Sequence, residues 1–262
     1  MEKKKFKIVE SKKTRYILPN ILTIAGVCLG ISSIKFSIDL NFQMAVIFIT
    51  LAAILDALDG RIARLIKGTS DFGKELDSLT DFVSFGIAPA FTIYFWKLNN
   101  YGKLGWAITL IYSVCCVLRL ARFNLTKFTS DESWKQNYFE GVPSPIGALL
   151  ILSPLVLELT EFKILINNNY FLPIFIITMA LLLISKIPTY SFKNIKIKPA
   201  LTVFILLGIG ISLVTLMFYT FETLLIFSLI YILSIPVACI TYLNNKKSFQ
   251  IDNSEDEHED IL

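Results

Sequence analysis

The chain has 262 residues, 54% of them hydrophobic and only 18% charged, with a mean hydropathy of +0.62. That balance excludes an ordinary soluble domain, and no nucleic-acid partner is expected. The chain reads as an all-α integral membrane protein.

Each helical crossing of a bilayer needs about 20 mostly apolar residues. In chain order, eight stretches meet or approach that length: 17–34, 42–66, 76–96, 104–122, 143–160, 169–187, 199–219 and 222–243. The first follows a basic segment, 1–16, whose spaced apolar residues also suit a helix lying on anionic headgroups. No small-residue cleavage site follows it, so the first span is expected to be retained. The fifth is the shortest and carries Pro145 and Pro154. After the last span comes an acidic tail, 244–262, expected to be cytoplasmic and disordered.

Orientation follows from the basic residues, which concentrate on the cytoplasmic side. With eight spans and the N-terminus inside, 21 of the 25 lysines and arginines fall in inside segments, leaving Lys35, Lys97, Lys103 and Lys163 outside. Both termini are then cytoplasmic, in the cell (inner) membrane, and Trp96 and Trp106 lie near the outer interface. Cys28, Cys115, Cys116 and Cys239 all sit in apolar spans without metal-site spacing. The one histidine, His258, lies in the acidic tail, so a general base within the membrane has to be another residue type. The second half, roughly 146–243, has almost no intramembrane charge and reads as packing or dimerisation surface, with a homodimer expected.

The exception to this apolar character is "DALDGRIARLIKGTSDFGKELDSLTD", Asp56 to Asp81. Charge inside a membrane is expensive and marks function by default. Asp56 and Asp59 lie three apart at the inner end of span 2, and Asp77 and Asp81 four apart in the first turns of span 3, so each pair shares a helix face. The Gly/Ser/Thr-containing linker "KGTSDFG" lets the two spans pack antiparallel, and the four carboxylates converge. Such a site needs cations, and hard oxygen ligands select Mg²⁺, Mn²⁺ or Ca²⁺. Two metals bridged by carboxylates are used to hold a pyrophosphate, so a phosphate-containing substrate is predicted. Gly60, Ala63 and Gly73 permit close approach, and Arg61 and Arg64 offer a positive partner for phosphate. The alternative for these arginines and Lys67 is anchoring at the headgroups, with the aspartates paired to them. Asp71, Glu75, Lys67 and Lys74 read as solvated linker.

The pattern D56xxD59G60xxA63R64, eight residues, then G73xxxD77xxxD81 resembles the signature of the CDP-alcohol phosphotransferases at all eight fixed positions. The resemblance implies a six-helix core, here with two additional C-terminal helices. It implies transfer of a substituted phosphate from a CDP-linked donor to an alcohol, with release of CMP. It also implies that Asp56, Asp59, Asp77 and Asp81 ligate two divalent ions, Mg²⁺ or Mn²⁺, that Gly60, Ala63, Arg64 and Gly73 line the CDP site, and that Asp81 is the general base. "LPNILT" (18–23) resembles the family's opening of span 1, with Asn20 against the nucleotide.

Three further stretches, "LDSLTDFVSFGIAPA" (76–90), "RLARFN" (119–124) and "GVPSP" (141–145), are similar to the phosphatidylserine synthase branch. That branch uses CDP-diacylglycerol and L-serine, and the similarity names Ser84, Arg119, Arg122, Asn124 and Ser144 as acceptor-binding candidates. Arg119 and Arg122 would equally suit a phosphorylated acceptor, so phosphatidylglycerophosphate and phosphatidylinositol-phosphate synthases stay as alternatives. An intramembrane prenyltransferase does not account for the DG and AR elements. A cation transporter predicts charge spread through the membrane depth rather than gathered at one face.

Overall fold

The computed structural model describes residues 12–66, 70–125, 138–160, 170–190 and 199–259. Most of the basic N-terminal segment and residues 67–69 of the predicted linker lie outside the described residues. The elements are α1 (Lys12–Ile38), α2 (Phe42–Leu65), α3 (Asp71–Asp81), a π-helical turn (Phe82–Ile87), α4 (Ala88–Trp96), a 3₁₀ turn (Leu98–Tyr101) and α5 (Lys103–Leu125). They continue with β1 (Tyr138–Glu140), α6 (Ser144–Leu159), α7 (Phe171–Ile184), β2 (Pro188–Tyr190), α8 (Pro199–Phe218) and α9 (Thr220–Glu259).

Because α3, the π turn and α4 run on as one helix, Asp71–Trp96, every predicted span meets one apolar helix. The chain is an all-α integral membrane protein. Five of these helices are long enough to cross a bilayer by length and composition; Ser144–Leu159, Phe171–Ile184 and Thr202–Phe218 are shorter. The predicted fifth span survives its prolines for an identifiable reason. Pro154 cannot donate to the carbonyl of Leu150, and Ser153 Oγ donates to that oxygen instead at 2.8 Å.

Three details differ from the sequence reading. Span 3 begins at Asp71 rather than near 76, because Ser70 caps the helix by accepting from the Gly73 amide at 3.0 Å; Gly73 therefore stands in the first turn and not in the linker. β1 and β2 form a small antiparallel ribbon, Tyr138 opposite Tyr190, that no strand pattern announced. The backbone of α9 runs on to Glu259, through most of the tail expected to be irregular; no glycine or proline interrupts it after Pro236.

In lipid, helices associate through close packing and hydrogen bonds rather than through the hydrophobic effect. The α1 crossing shows both. A Cβ on Gly30 would stand 2.6 Å from Ser84 Oγ and 2.9 Å from Ser84 Cα, so only glycine lets α1 lie against the π turn. One turn away Ser84 Oγ donates to Gly26 O at 3.2 Å, and further along Ser37 and Thr92, both fully buried, share a 2.8 Å hydrogen bond. The π turn follows Asp81 directly, and α5 supports it: Tyr112 Oη donates to Phe85 O at 3.1 Å and Ser113 Oγ to Gly86 O at 3.3 Å.

At the far end of the bundle, Trp96 and Lys97 both bond Glu158 of α6, and Trp106 packs edge-on to Phe91 and Tyr94. Such an aromatic girdle suits a membrane interface. α9 packs on α6 and on β2, and α8 packs on α9. The large apolar side chains of α8, such as Phe204, Leu206 and Met217, face outward, as lipid-contacting residues do.

Candidate active site

The antiparallel pairing of α1 with α2, and the approach of α3 to α1, bring the two aspartate pairs together. Asp56, Asp59 and Asp77 each present a carboxylate oxygen, and these oxygens lie within 4.8 Å of one another. Asp59 is buried, 4% exposed, and its Oδ2 accepts from Thr23 Oγ1 on α1 at 2.7 Å. Thr23 is a site residue the sequence reading passed over, although it lies one turn beyond Asn20 on the same helix face.

Asp81 falls outside this set of three. It adjoins Asp56, within hydrogen-bonding reach of its carboxyl group, and its Oδ2 accepts from Ser144 Oγ at 3.2 Å. Its other oxygen, Oδ1, is buried without a hydrogen-bond partner.

Among the described residues no lysine or arginine forms a salt bridge with any of the four aspartates. Headgroup-level pairing with Arg61 or Arg64 is thus not what holds them; Arg64 turns back on its own helix, Nε to Gly60 O at 2.9 Å, and is exposed. Three converging carboxylates with no salt-bridged lysine or arginine among the described residues could hold a hard divalent metal.

A cavity of about 140 Å³ opens beside this cluster, with Asp59 and Asp77 in its wall. Asn20, Gly60, Ala63 and Gly73 line it, as does Lys74, which the sequence reading left as linker. Gly60 keeps the space clear, since a Cβ there would meet nothing within 4 Å. Gly73 is tighter: a Cβ would stand 3.1 Å from Asn20 Oδ1 and 3.1 Å from Ser70 Oγ. Arg64 is the one predicted donor-site residue that does not line this cavity.

The predicted acceptor residues divide. Arg119, 7% exposed, donates from Nη1 to Ser144 Oγ at 2.7 Å, and Ser144, 1% exposed, donates in turn to Asp81. Arg119, Ser144 and Asp81 therefore form one chain of hydrogen bonds from α5 through the first residue of α6 to α3. The other three candidates bond elsewhere. Arg122 donates to the carbonyls of Ile184, Ser185 and Glu140, closing the end of α7 against the ribbon. Asn124 Nδ2 donates to Ser78 Oγ at 2.9 Å, and Ser84 faces α1. Similarity to a family branch names them, but open backbone carbonyls and a close helix crossing engage them first.

From the second half of the chain, expected to serve packing or dimerisation, one polar side chain approaches Arg119. Tyr231 of α9 lies within hydrogen-bonding reach of Thr189 and feels the charge of Arg119, with its hydroxyl oxygen buried.

A membrane helix bundle with a carboxylate cluster that could hold divalent metal, opening on a small cavity, is the kind of site that phosphoryl transfer uses. Residues 16–185 match the CDP-alcohol phosphatidyltransferase family profile. The chain belongs to that family, whose members are generally dependent on divalent metal. Three relatives bear the name CDP-diacylglycerol–serine O-phosphatidyltransferase. The one from Helicobacter pylori is 38% identical over 200 residues, 76% of this chain and 81% of the relative. That from Bacillus subtilis is 34% identical over 177 residues, 68% of this chain and 92% of the relative. That from Mycobacterium leprae is 39% identical over 184 residues, 70% of this chain but 61% of the relative, so the chain spans about three-fifths of that protein.

Proposed function

We propose that this protein transfers the phosphatidyl group of CDP-diacylglycerol to the hydroxyl of L-serine, giving phosphatidylserine and CMP. The observation that carries the reading is the position of Asp81. Its unpartnered carboxylate oxygen stands between the three-carboxylate cluster on one side and the Arg119–Ser144 pair on the other. The names of the relatives supply the donor and the acceptor.

The CDP moiety occupies the cavity lined by Asn20, Gly60, Ala63 and Gly73, with Lys74 beside its phosphates and Arg64 at the rim. Asp56, Asp59 and Asp77 would hold divalent metal, Mg²⁺ or Mn²⁺, with Asp81 completing a two-ion set. Bound metal supplies charge neutralisation for the diphosphate and for the departing CMP. Asp81 accepts the proton of the serine hydroxyl, and Ser144, itself held by Arg119, fixes the orientation of its carboxylate. The serine oxygen then bonds to the phosphorus that carries the lipid as the bond from that phosphorus to the CMP oxygen breaks. The proton passes from Asp81 to solvent, and no covalent enzyme intermediate forms. The lipid chains lie sideways between helices, and serine enters from the cytoplasm, in keeping with both termini being cytoplasmic and the protein residing in the cell membrane. A homodimer belongs to the same reading, with the outward apolar faces of α8 and α9 available to a second copy.

The test is to supply detergent-solubilised, full-length protein with CDP-diacylglycerol and, separately, labelled L-serine, glycerol 3-phosphate or inositol phosphate, following CMP and labelled lipid. Serine-dependent CMP release is expected. Label entering lipid only from a phosphorylated acceptor would sink the choice of serine and leave the reaction type standing.

A further inference from the structure

We infer that Tyr231 of α9, with Arg119, binds the carboxylate of the acceptor amino acid, so that a helix outside the family-matched region selects the acceptor. The inference deepens the serine reading above and rests on it.

Among the described residues, three buried side-chain polar atoms have no hydrogen-bond partner: Asp81 Oδ1, Arg119 Nε and Tyr231 Oη. Buried polar groups are nearly always paired, and each exception calls for a cause. These three come from α3, α5 and α9, and Arg119 links them: its Nη1 bonds Ser144, which bonds Asp81, and its charge acts on both Asp81 and Tyr231. Asp81 also belongs to the proposed metal set, so the two donors, Arg119 Nε–H and the Tyr231 hydroxyl, are the groups that call for a ligand.

Their chemistry defines that ligand. Arg119 Nε–H and the Tyr231 hydroxyl are donors, which suit the two oxygens of a carboxylate. Asp81 Oδ1 is an acceptor, which suits the hydroxyl about to lose its proton. L-Serine carries its carboxylate one carbon from its hydroxymethyl group and presents both.

The fixed geometry of the partners supports the assignment. Nη1 of Arg119 is committed to Ser144, and its guanidinium lies 5.9 Å from the Phe123 ring centroid, so the direction of Nε is set. Thr189 lies within hydrogen-bonding reach of the Tyr231 hydroxyl but donates its own proton to Gly141 O at 2.8 Å, and no well-formed hydrogen bond engages Tyr231 Oη. α9 is tied in place beyond Tyr231, where Thr241 bonds Tyr190 at 2.7 Å and Asn245 donates to Tyr138 at 3.0 Å. The family match ends at residue 185, so α9 is not part of the shared signature.

The experiment compares wild-type full-length protein and Tyr231→Phe in detergent, with L-serine and with L-serine amide, which keeps the hydroxyl and amine but lacks the charged carboxylate. In wild-type protein the amide should show a KM at least about tenfold above that of L-serine. In Tyr231→Phe the KM for L-serine should rise about tenfold, while the KM for CDP-diacylglycerol and the kcat at saturating serine stay within about threefold. The amide KM should hardly move, so that discrimination between the two acceptors shrinks.

A variant that weakens both acceptors equally, or alters neither, overturns the role of Tyr231 while serine-dependent CMP release still upholds the proposed function. Wild-type protein that releases no CMP with serine overturns both. Should the variant not accumulate, equal KM values for serine and its amide in wild-type protein overturn carboxylate recognition directly.

Discussion

Replacing Ser144 by alanine removes one hydroxyl and two hydrogen bonds. The Arg119 Nη1 contact, 2.7 Å, has a charged donor and is worth about 1.5–3 kcal/mol; the longer Ser144–Asp81 contact, 3.2 Å, is worth about 1 kcal/mol. Alanine offers neither group a partner, and Ser144 and Arg119 are too buried for bulk water to replace it fully. A loss of about 2–4 kcal/mol follows if both bonds matter most with acceptor in place, or about 30–1,000-fold in kcat/KM for serine at about 1.4 kcal/mol per tenfold. The cavity proposed for CDP does not include Ser144, so the KM for CDP-diacylglycerol should stay within about threefold. The assay is initial-rate CMP release in detergent, varying each substrate at saturating levels of the other, with thermal unfolding of the variant as a control. Serine kcat/KM within about threefold of wild type would refute the Arg119–Ser144–Asp81 chain as the device that orients the base. So would a loss shared equally by both substrates in a protein with a lowered unfolding temperature.

Asp81→Asn keeps the size of the side chain and removes its ability to accept a proton; turnover should fall at least about 10³-fold in folded protein. Activity within tenfold of wild type would exclude Asp81 as the base. Thr23→Val deletes the donor to Asp59 without changing shape, and the divalent-metal concentration for half-maximal activity should rise about 10–100-fold; a metal titration reads this directly. Chelation should silence the wild-type protein and added Mg²⁺ or Mn²⁺ should restore it. Gly30→Val places atoms where Ser84 already lies, and the unfolding temperature in detergent should fall by several degrees or folded protein be lost altogether.

What the sequence made legible, and what it did not, follows from how far each feature acts along the chain. The spans are local: hydropathy over about 20 residues is enough to find them, and it also gives the eight-helix count. The carboxylate pairs are local too, because spacing of three or four along one helix puts them on one face whatever the neighbours do. Ser84, Arg122 and Asn124 are acceptor candidates by similarity to a family branch, with helical spacing added only for Arg119 and Arg122. Periodicity says which way a residue points on its own helix, not what meets it there. A glycine on α1 brings a backbone against Ser84, and the end of α7 presents three carbonyls to Arg122.

Tyr231 marks the limit most clearly. It sits in an apolar span with no charged neighbour, over a hundred residues from Arg119, and nothing in its own stretch distinguishes it from a tyrosine that packs in a core. Its significance arises from what lies across the bundle: a guanidinium with one nitrogen committed and one idle, and a carboxylate with one oxygen committed and one idle. A missing partner is a property of a three-dimensional neighbourhood, so only the fold can reveal it. The division of labour this implies is itself physical. Chemistry common to every acceptor, the handling of diphosphate and metal, can be encoded in two adjacent helices with rigid spacing. Recognition of one acceptor needs groups that approach from other directions, and in the reading proposed above they come from α5, α6 and α9.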